Sequence, residues 1–407
     1  MTHNVSPLTP RNPRARTGDA SGSPDFIARA EAVAEIAERF ADAVDREARF
    51  PAEAFAALRE RKLLGMLIAQ ELGGEGARAA DVADVCAILG RACASTAMIF
   101  AMHQVKLACI ARHARAAAWP LAFLREVAER QWLIASSTTE GGNGADIRSS
   151  EAPVRLSGGR VSLERDASCI SYGREADALV TTARRSDSAA KSDQVLVVFR
   201  RQDYTLEQTQ SWDTLGMRGT CSVGFIVRAE GEAEQILPEP YERIHSQTML
   251  PYAHLFWSAA WFGVASGALA RARAFVRKAA RAGGGRMPPA AAQLTRARLS
   301  LETLRATVQA GIANFERHAA DPGGLSTMEA QLALTMLKVE ASELAVATTM
   351  TAMRACGLSG YRNDTEFAMG RYLRDILSAP IMISNDRILA SADPAALMSE
   401  APTALSR

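Results

Sequence analysis

The chain changes from helical to strand-like patterning and back again, and this order constrains its fold more than any other feature of the sequence. From Asp25 apolar residues recur every three or four positions among charged ones, and helical patterns continue to about Arg130. Between Trp132 and about Pro240 apolar and polar residues alternate as in strands, and long helical patterns resume after Glu242. We therefore predict a mainly α protein with an inserted antiparallel β-domain.

Local signals indicate where these elements begin and end. Asp25 is a suitable N-cap for the first helix, and "ELGGEG" (71–76) and "RACAST" (91–96) are expected breaks between helices. In the middle segment, "VRLSGGRVSLE" (154–164) predicts a hairpin that turns at Gly158 and Gly159. Further strands are expected at 178–185, 193–201 and 224–230.

The last third of the chain predicts four long helices. The first spans 254–282 and should end at the three glycines 283–285, and the others are expected at about 289–320, 326–356 and 366–391. Four such helices are suited to bundle packing. The predicted division is a disordered tail (1–24), an N-terminal helical domain (25–130), a β-domain (131–241), a helical bundle (242–395) and a second tail (396–407).

Charge and cysteine usage exclude several classes of function. The chain carries 47 basic and 45 acidic residues, so its charge offers no basis for binding nucleic acid or an anionic membrane. The six cysteines form no C-x-x-C pair, and no histidine lies at metal-ligand spacing, so neither a zinc site nor a disulfide framework is predicted. We expect a cytoplasmic protein with reduced thiols, without a membrane span or secretory signal.

The glycine-rich stretch "TEGGNGADI" (139–147) is the most suggestive loop for chemistry. It lacks the Gly-Lys-Ser/Thr ending of a phosphate-binding loop, and its glycines have the wrong spacing for G-x-G-x-x-G. Its backbone N–H groups and the hydroxyls of Thr138 and Thr139 could bind a planar heteroaromatic ring. The residues by themselves equally allow a tight turn between domains.

Five ordered motifs resemble the acyl-CoA dehydrogenase superfamily, over about residues 25 to 395. They are "TEGGNGAD" (139–146), in place of the family's T-E-P-x-x-G-S-D, and "SCISYG" (168–173), "DTLGMRGTCS" (213–222), "RACGLSGY" (354–361) and "GRYLRDI" (370–376). The resemblance implies an N-terminal helical domain, a middle β-barrel or sandwich, and a C-terminal four-helix bundle. It also implies FAD as the cofactor.

The resemblance assigns contacts around the flavin ring. Thr139 is an implied flavin contact, whereas Ala145 stands where the family has a serine, and Gly141 replaces the proline. Cys169 occupies the position of an aromatic residue, and Ser171 that of a hydroxyl which hydrogen-bonds the reactive edge of the flavin. The pair Met217 and Arg218 is implied to lie close to the cofactor and the acyl pocket.

Other implied contacts reach the FAD of a neighbouring subunit. Arg281 falls where the family has an arginine that does so, and Arg354 and Gly357 lie in a loop that touches the adenosine across a dimer interface. In that loop Arg354 replaces the family's glutamine. These positions, together with the long amphipathic helices, imply a homodimer or homotetramer.

The usual catalytic base of the family is missing. Dehydrogenation of an acyl thioester needs a carboxylate to remove the α-proton while the flavin accepts a hydride. The family's glutamate would stand at Ile383, nine residues after Arg374, and its alternative position holds Ala253, followed by His254.

Two residues could replace this base, and each has a plain structural alternative. His254 has a reference pKa close to neutrality, but it could simply pack against Trp257. Asp386 lies about one helical turn beyond the missing glutamate, but it could be solvated or paired with Arg387.

The resemblance therefore implies a divergent branch of the superfamily. We expect an FAD-dependent oxidoreductase that dehydrogenates the α,β-bond of an acyl thioester linked to CoA or a carrier protein, with an electron-acceptor flavoprotein as its partner. One alternative is a two-component monooxygenase that uses O₂ and reduced flavin from a separate reductase on a small aromatic or polyketide-like substrate. Another is a flavin-binding module without catalysis.

Overall fold

The three-part order predicted from the sequence is the architecture of the protein. The computed structural model describes residues 25–140 and 147–399, in which helices flank a β-sheet region. The N-terminal helices are α1 (Phe26–Glu47), α2 (Ala52–Glu60), α3 (Ala79–Ala92), α4 (Ala94–His113) and α5 (Ala118–Arg130). The predicted cap is present, since Asp25 Oδ1 accepts a hydrogen bond of 3.0 Å from the amide of Ala28.

Helix α4 forms the centre of the N-terminal domain, and nearly all of its side chains are buried. Among the described residues it is the one helix long and apolar enough to cross a membrane by length and composition. Of its most apolar stretch, 89% is buried inside the protein, which is the environment of a core helix. Helix α4 is therefore only weak evidence for a membrane span.

The middle segment forms two sheets. Its strands are β1 (Ile134–Ser137), β2 (Arg155–Ser157), β3 (Arg160–Ile170), β4 (Ala178–Arg184), β5 (Gln194–Arg200), β6 (Tyr204–Gln210) and β7 (Val223–Glu232). The sheet orders are β1-β4-β5 and β2-β3-β7-β6. The predicted hairpin joins β2 to β3, and Gly158 and Gly159 both have positive φ, as its two-residue turn requires.

One pairing corrects the prediction of a purely antiparallel domain. Strand β1 pairs with β4 in parallel, with Ile134 opposite Ala178. Parallel neighbours need a long crossover, and the chain between β1 and β4 supplies one because it includes β2 and β3 of the other sheet. The first strand therefore joins the sheet in a direction that local alternation could not predict.

Three long helices form the C-terminal part: α7 (Leu250–Ala282), α8 (Ala291–Ala319) and α9 (Met328–Tyr361). A short helix α6 (Tyr241–Ile244) and a π-helical turn (His245–Met249) lead into α7, which ends at Gly283 as predicted. Helix α7 packs closely on α3, because a Cβ at Gly263 would lie 2.2 Å from the carbonyl oxygen of Ala87. The N-terminal and C-terminal helices are therefore in close backbone contact here.

The predicted fourth long helix (366–391) is wrong as a single element. It consists of α10 (Gly370–Ile376), α11 (Ser378–Ile381) and α12 (Asn385–Met398). The chain bends between α11 and α12, where Ile383 and Ser384 have φ values of 55° and 37°. Residues in this left-handed region cannot continue a right-handed helix, and the Ser384 hydroxyl then accepts from the amide of Arg387 to begin α12.

Candidate active site

A cavity of about 830 Å³ lies where the three parts of the chain meet. One side is helix α4, with Met98, Met102 and Val105, and α7 and the bend after α11 form another. A third side, from the β-domain and the turn before β7, carries hydroxyl groups: Ser136, Thr138, Thr139, Ser168, Ser171, Thr220 and Ser222. A mainly apolar lining with a limited number of polar groups is typical of a site for a small organic molecule.

Three of these hydroxyls form a chain of hydrogen bonds. The Ser171 and Ser222 oxygens lie 2.7 Å apart, and the Ser222 and Thr220 oxygens 2.8 Å apart. The Thr220 hydroxyl also lies 2.8 Å from the carbonyl oxygen of Met217, to which it can only donate.

This chain of hydrogen bonds has a direction. Each hydroxyl has one hydrogen, and only one arrangement places a hydrogen in every contact: Thr220 donates to Met217, Ser222 donates to Thr220, and Ser171 donates to Ser222. The oxygen of Ser171 is then left with lone pairs and no hydrogen for the cavity. It therefore presents an acceptor to a bound molecule.

The turn that supplies Met217 is held from below by helix α10. The amide of Met217, whose φ is 54°, donates a hydrogen bond of 2.7 Å to Asp375 Oδ1. A Cβ at Gly216 would lie 2.0 Å from the carbonyl oxygen of Arg374, so this contact requires glycine. Burial raises the pKa of the Asp375 carboxyl to about 6. Two motifs far apart in sequence thus form one structural unit.

The residues Met217 and Arg218 have different surroundings. Met217 lines the cavity. Arg218 instead faces α1, where its Nε donates to the carbonyl oxygen of Asp45 at 2.8 Å, and it also bonds the carbonyl oxygen of Thr214. Arg218 is thus not among the lining residues of this cavity, and its place in the substrate pocket stays a prediction.

The start of the glycine-rich loop combines site and structural residues. Thr139 and Cys169 both line the cavity, and the Thr139 hydroxyl accepts from Ser168 at 3.3 Å. Burial raises the pKa of the Cys169 thiol, which favours its neutral form. Glu140 is structural, since its carboxylate lies 3.3 Å from the buried guanidinium of Arg165. Gly141 and Ala145 lie outside the described residues.

His254 is deeply buried at the cavity wall, with 4% of its surface exposed. Its Nδ1 donates to the carbonyl oxygen of Leu334 at 3.0 Å, which leaves Nε2 as an acceptor. Burial lowers the pKa of the imidazole to about 3. The ring is therefore neutral near pH 7, and its centre lies 6.1 Å from that of Trp257.

Comparison with known proteins identifies the family. The N-terminal domain of acyl-CoA dehydrogenases matches residues 27–129, and their C-terminal domain matches residues 246–389. The chain belongs to the acyl-CoA dehydrogenase superfamily. Its fold is thus a flavin-binding fold, and the cavity fits a flavin ring, because it combines apolar walls with a row of hydroxyls that ends in the Ser171 acceptor.

Relatives within the superfamily catalyse different reactions. A probable FMNH₂-dependent monooxygenase, SfnC of Pseudomonas putida, is 26% identical over 61% of this chain and 62% of its own length, so the match spans less than two thirds of that relative. The cyclohex-1-ene-1-carbonyl-CoA dehydrogenase of Syntrophus aciditrophicus is 27% identical over 88% of this chain and 84% of its own length.

Solved structures show the same fold with different chemistry. FMN-bound TdsC of Paenibacillus sp. A11-2, a dibenzothiophene monooxygenase, has a TM-score of 0.81 at 19% identity and covers 93% of this chain and 98% of its own. Butyryl-CoA dehydrogenase of Megasphaera elsdenii has a TM-score of 0.76 at 17% identity, over 94% of this chain and 100% of its own.

Both positions where acyl-CoA dehydrogenases carry the catalytic glutamate face this cavity. Ile383 lines it at the bend after α11, and Ala253 lines it from α7. Among the described residues that line the cavity there is no Asp or Glu. Apolar side chains therefore occupy the places from which the usual base would act.

Asp386, the other predicted base, lies apart from the lining of this cavity. It is exposed on the first turn of α12 and does not line the cavity. The face of α12 that does so contains Ser384, Arg387, Ile388 and Ser391, at helical spacing. The bend at 383 starts a new helix whose rotation points Asp386 away from the lining, and its role as the base stays a prediction without support from this geometry.

The predicted cross-subunit residues lie away from the cavity. Arg281 is exposed on the last turn of α7, and Arg354 and Gly357 are exposed near the end of α9. Gly357 has a φ of 54°, which interrupts the helix there. Their contact with a neighbouring FAD stays a prediction.

Several residues of the site were missed by sequence reasoning. Trp212 lines the cavity and donates to the Met217 carbonyl at 3.1 Å, and Lys106 and Trp257 also line it. Lys106 could have been noticed, because it is a lone charge in the apolar stretch "AMIFAMHQVKLACI" (97–110). Among the described residues, no group of His, Cys, Asp and Glu could hold a metal ion.

Proposed function

We propose that this protein is a two-component flavin-dependent monooxygenase that acts on a small molecule. Bound reduced flavin would supply two electrons to O₂, one oxygen atom would enter the substrate as a hydroxyl group, and the other would leave as water. The observation that carries the proposal is the absence of Asp and Glu among the described cavity-lining residues, with Ile383 and Ala253 at the two base positions. This chemistry needs no carboxylate to remove an α-proton.

The direction of the hydroxyl chain supports reduced flavin as the bound form. Reduced flavin has an N–H at the position where oxidised flavin has a bare nitrogen, and Ser171 presents an acceptor. The N–H of reduced flavin would donate a hydrogen bond to the Ser171 oxygen. The lone pair of the bare nitrogen in oxidised flavin would instead be repelled by that oxygen. Ser171 would therefore orient the reduced ring, and Met98, Met102 and Val105 would exclude water from it.

Acyl-thioester dehydrogenation, the reaction first expected from the sequence, is the second candidate. It is favoured by the 27% identity with a CoA-thioester dehydrogenase over most of both chains. Within the described cavity its proton would have to pass to His254, whose imidazole has a pKa of about 3 and is a weak base.

The choice of flavin and partners belongs to the same proposal. FAD is the cofactor implied by Arg281, Arg354 and Gly357, which would contact it across a homodimer or homotetramer interface. A separate flavin reductase would supply the reduced form. Dehydrogenation would instead require an electron-acceptor flavoprotein.

One set of measurements separates these functions. The purified protein is titrated anaerobically with acyl-CoA thioesters, and its flavin absorbance is recorded. In parallel, it is supplied with a flavin reductase, NADH and ¹⁸O₂ in the presence of a panel of small aromatic compounds. We expect no bleaching by thioesters and ¹⁸O in a hydroxylated product. Bleaching by a thioester would show that the proposed function is wrong, and failure of both assays would leave a flavin-binding module.

A further inference from the structure

Lys106 is a buried cation that faces the cavity and has no oxygen partner within residues 25–140 and 147–399. It lies on the wall of α4 with Met98, Met102 and Val105, and only 6% of its surface is exposed. Its Nζ donates one hydrogen bond, of 3.2 Å, to the sulfur of Met249, which also accepts from the Tyr241 hydroxyl at 3.4 Å. A thioether is a weak acceptor, and an ammonium group has three hydrogens to donate.

A second buried lysine in the same chain shows what a structural lysine looks like here. Lys338 is fully buried, and its Nζ donates to the carbonyl oxygen of Ala379 at 3.1 Å and to Asn385 Oδ1 at 2.7 Å. Its ammonium also lies over the ring of Trp261. Lys338 thus has the oxygen partners that a buried charge requires, and Lys106 has none among the described residues.

The part of the cavity lining that the structure describes supplies no negative charge to Lys106. Arg148 and Arg387 also line it, the described lining contains no Asp or Glu, and His254 is neutral. Burial lowers the pKa of Lys106 to about 8, so the group is still mainly protonated at pH 7. A buried charge without a counter-ion is costly, and a bound anion would offset part of that cost.

We propose that Lys106 binds a carboxylate group of the substrate, so that this protein acts on a small carboxylic acid. This inference rests on the proposed function, because it names the substrate class of the same cavity. The hydroxyls that would face the flavin come from the β-domain and the turn before β7, whereas Lys106 packs on the π-helical turn before α7. The carboxylate would therefore lie at the Met249 side of the cavity, and the flavin ring at the side of these hydroxyls.

The test compares acids with their amides in equilibrium binding. Benzoate and benzamide, and indole-3-carboxylate and indole-3-carboxamide, are titrated calorimetrically into the flavin-loaded full-length protein, without a reductase. The wild type should bind the acid of at least one pair roughly tenfold to a hundredfold more tightly, the range expected for hydrogen bonds to a charged group. Lys106→Met should abolish this preference, and Lys106→Arg should retain it.

Control experiments separate the effect of the Lys106 charge from effects on folding and on flavin binding. Lys278→Met removes an exposed lysine that pairs with Glu366 and should leave the preference unchanged. The acid that the wild type prefers should raise the Tm of the wild type but not that of Lys106→Met, whose Tm without ligand should be no lower. If Lys106→Met weakens binding of FMN but not of riboflavin, the lysine serves the flavin phosphate and the proposal is wrong.

The remaining outcomes are equally decisive. If no acid of the series binds the wild type more tightly than its amide, or if Lys106→Met keeps the preference, Lys106 is not a carboxylate site. Because binding is measured without turnover, failure of oxygen insertion would not affect this result. Conversely, bleaching by an acyl thioester would overturn the proposed function and leave the measured preference for acids intact.

Discussion

At the residue scale, the hydroxyl of Ser222 determines what Ser171 offers to a flavin. It accepts from Ser171 and donates to Thr220, so it holds the Ser171 hydrogen away from the cavity. The position of Ser171 was predicted from a motif. Its direction was not, because its partner lies 51 residues further along the chain, in a different motif.

Replacing Ser222 should therefore change the redox preference of the site. In Ser222→Ala the Ser171 hydroxyl can rotate and donate to the nitrogen of oxidised flavin. We expect the ratio of affinities for reduced and oxidised flavin to fall by roughly three- to tenfold, the value of one neutral hydrogen bond. The midpoint potential of the bound flavin should fall by up to about 30 mV.

The measurement is anaerobic spectroelectrochemistry of the flavin-loaded protein. Ser168→Ala is the matched control, because its hydroxyl lines the cavity and bonds Thr139 but lies outside the chain of three hydroxyls. Ser168→Ala should change the affinities for reduced and oxidised flavin by the same factor. An unchanged potential in Ser222→Ala would mean that the hydroxyl chain does not set the direction of Ser171.

At the element scale, helix α10 and the turn before β7 act as a single support for the cavity. Asp375 accepts from the Met217 amide, and Arg374 forms an ion pair with Asp45 of α1. The two motifs were recognised separately, and nothing local in either indicates that they touch. The broken helix after residue 376 was missed for a similar reason, since a short apolar stretch does not reveal left-handed residues such as Ile383.

Two replacements of Asp375 should have different effects. Asn can still accept from the Met217 amide, so Asp375→Asn should retain flavin binding. Leu cannot accept this hydrogen bond. Asp375→Leu therefore leaves the buried Met217 amide unpaired, at a cost of about 1–3 kcal/mol. We expect the leucine variant to lose flavin affinity and thermal stability together, as measured by flavin fluorescence and calorimetry. Equal flavin affinity in both variants would contradict this role.

The asparagine variant should also change the pH dependence of stability. The pKa of the Asp375 carboxyl is raised by burial from 3.8 to about 6, so the folded state binds its proton more tightly than the unfolded state does. Its contribution to stability is full below pH 3.8 and is lost as pH rises through 6. We therefore expect the Tm difference, wild type minus Asp375→Asn, to decrease as the pH rises from 4 to 6. A constant difference would contradict a raised pKa for Asp375.

At the scale of the whole molecule, a buried histidine connects the N-terminal helices to the β-domain. His103 Nε2 donates to the carbonyl oxygen of Leu64 at 2.8 Å, and its Nδ1 accepts from the amide of Ile134 at 3.0 Å. Burial lowers the pKa of His103 to about 4. Protonation would place a hydrogen on Nδ1 against the Ile134 amide, so this junction depends on a neutral ring.

Acid should therefore destabilise the whole protein. The unfolded state binds a proton at His103 more tightly than the folded state does, so this stabilisation is full above pH 6.5 and is lost as pH falls through about 4. Burial lowers the pKa values of His113 and His254 in the same direction. Urea unfolding should give a falling free energy from pH 7 to 4.5, with a shallower slope in His103→Gln. Identical slopes would contradict the role of His103.

The predicted assembly can be tested through its cofactor. If Arg354 contacts the adenosine of FAD in a neighbouring subunit, Arg354→Ala should weaken binding of FAD by roughly tenfold and leave binding of FMN unchanged. Arg125→Ala, which removes an exposed arginine of α5, is the control. Fluorescence titrations with the two flavins check the ratio, and equal losses for FAD and FMN would contradict the cross-subunit assignment.

The sequence by itself determined the order of helices and strands, the Asp25 cap, the hairpin at Gly158 and Gly159, and the family, because these depend on neighbours within a few residues or on short motifs. Only the tertiary structure decided that β1 runs parallel to β4, that Asp386 points away from the cavity, and that Ser222 orients Ser171. It also placed Lys106 in the cavity with a thioether as its partner. These features depend on contacts between residues far apart in the chain, and their geometry exists only once the three parts have packed together.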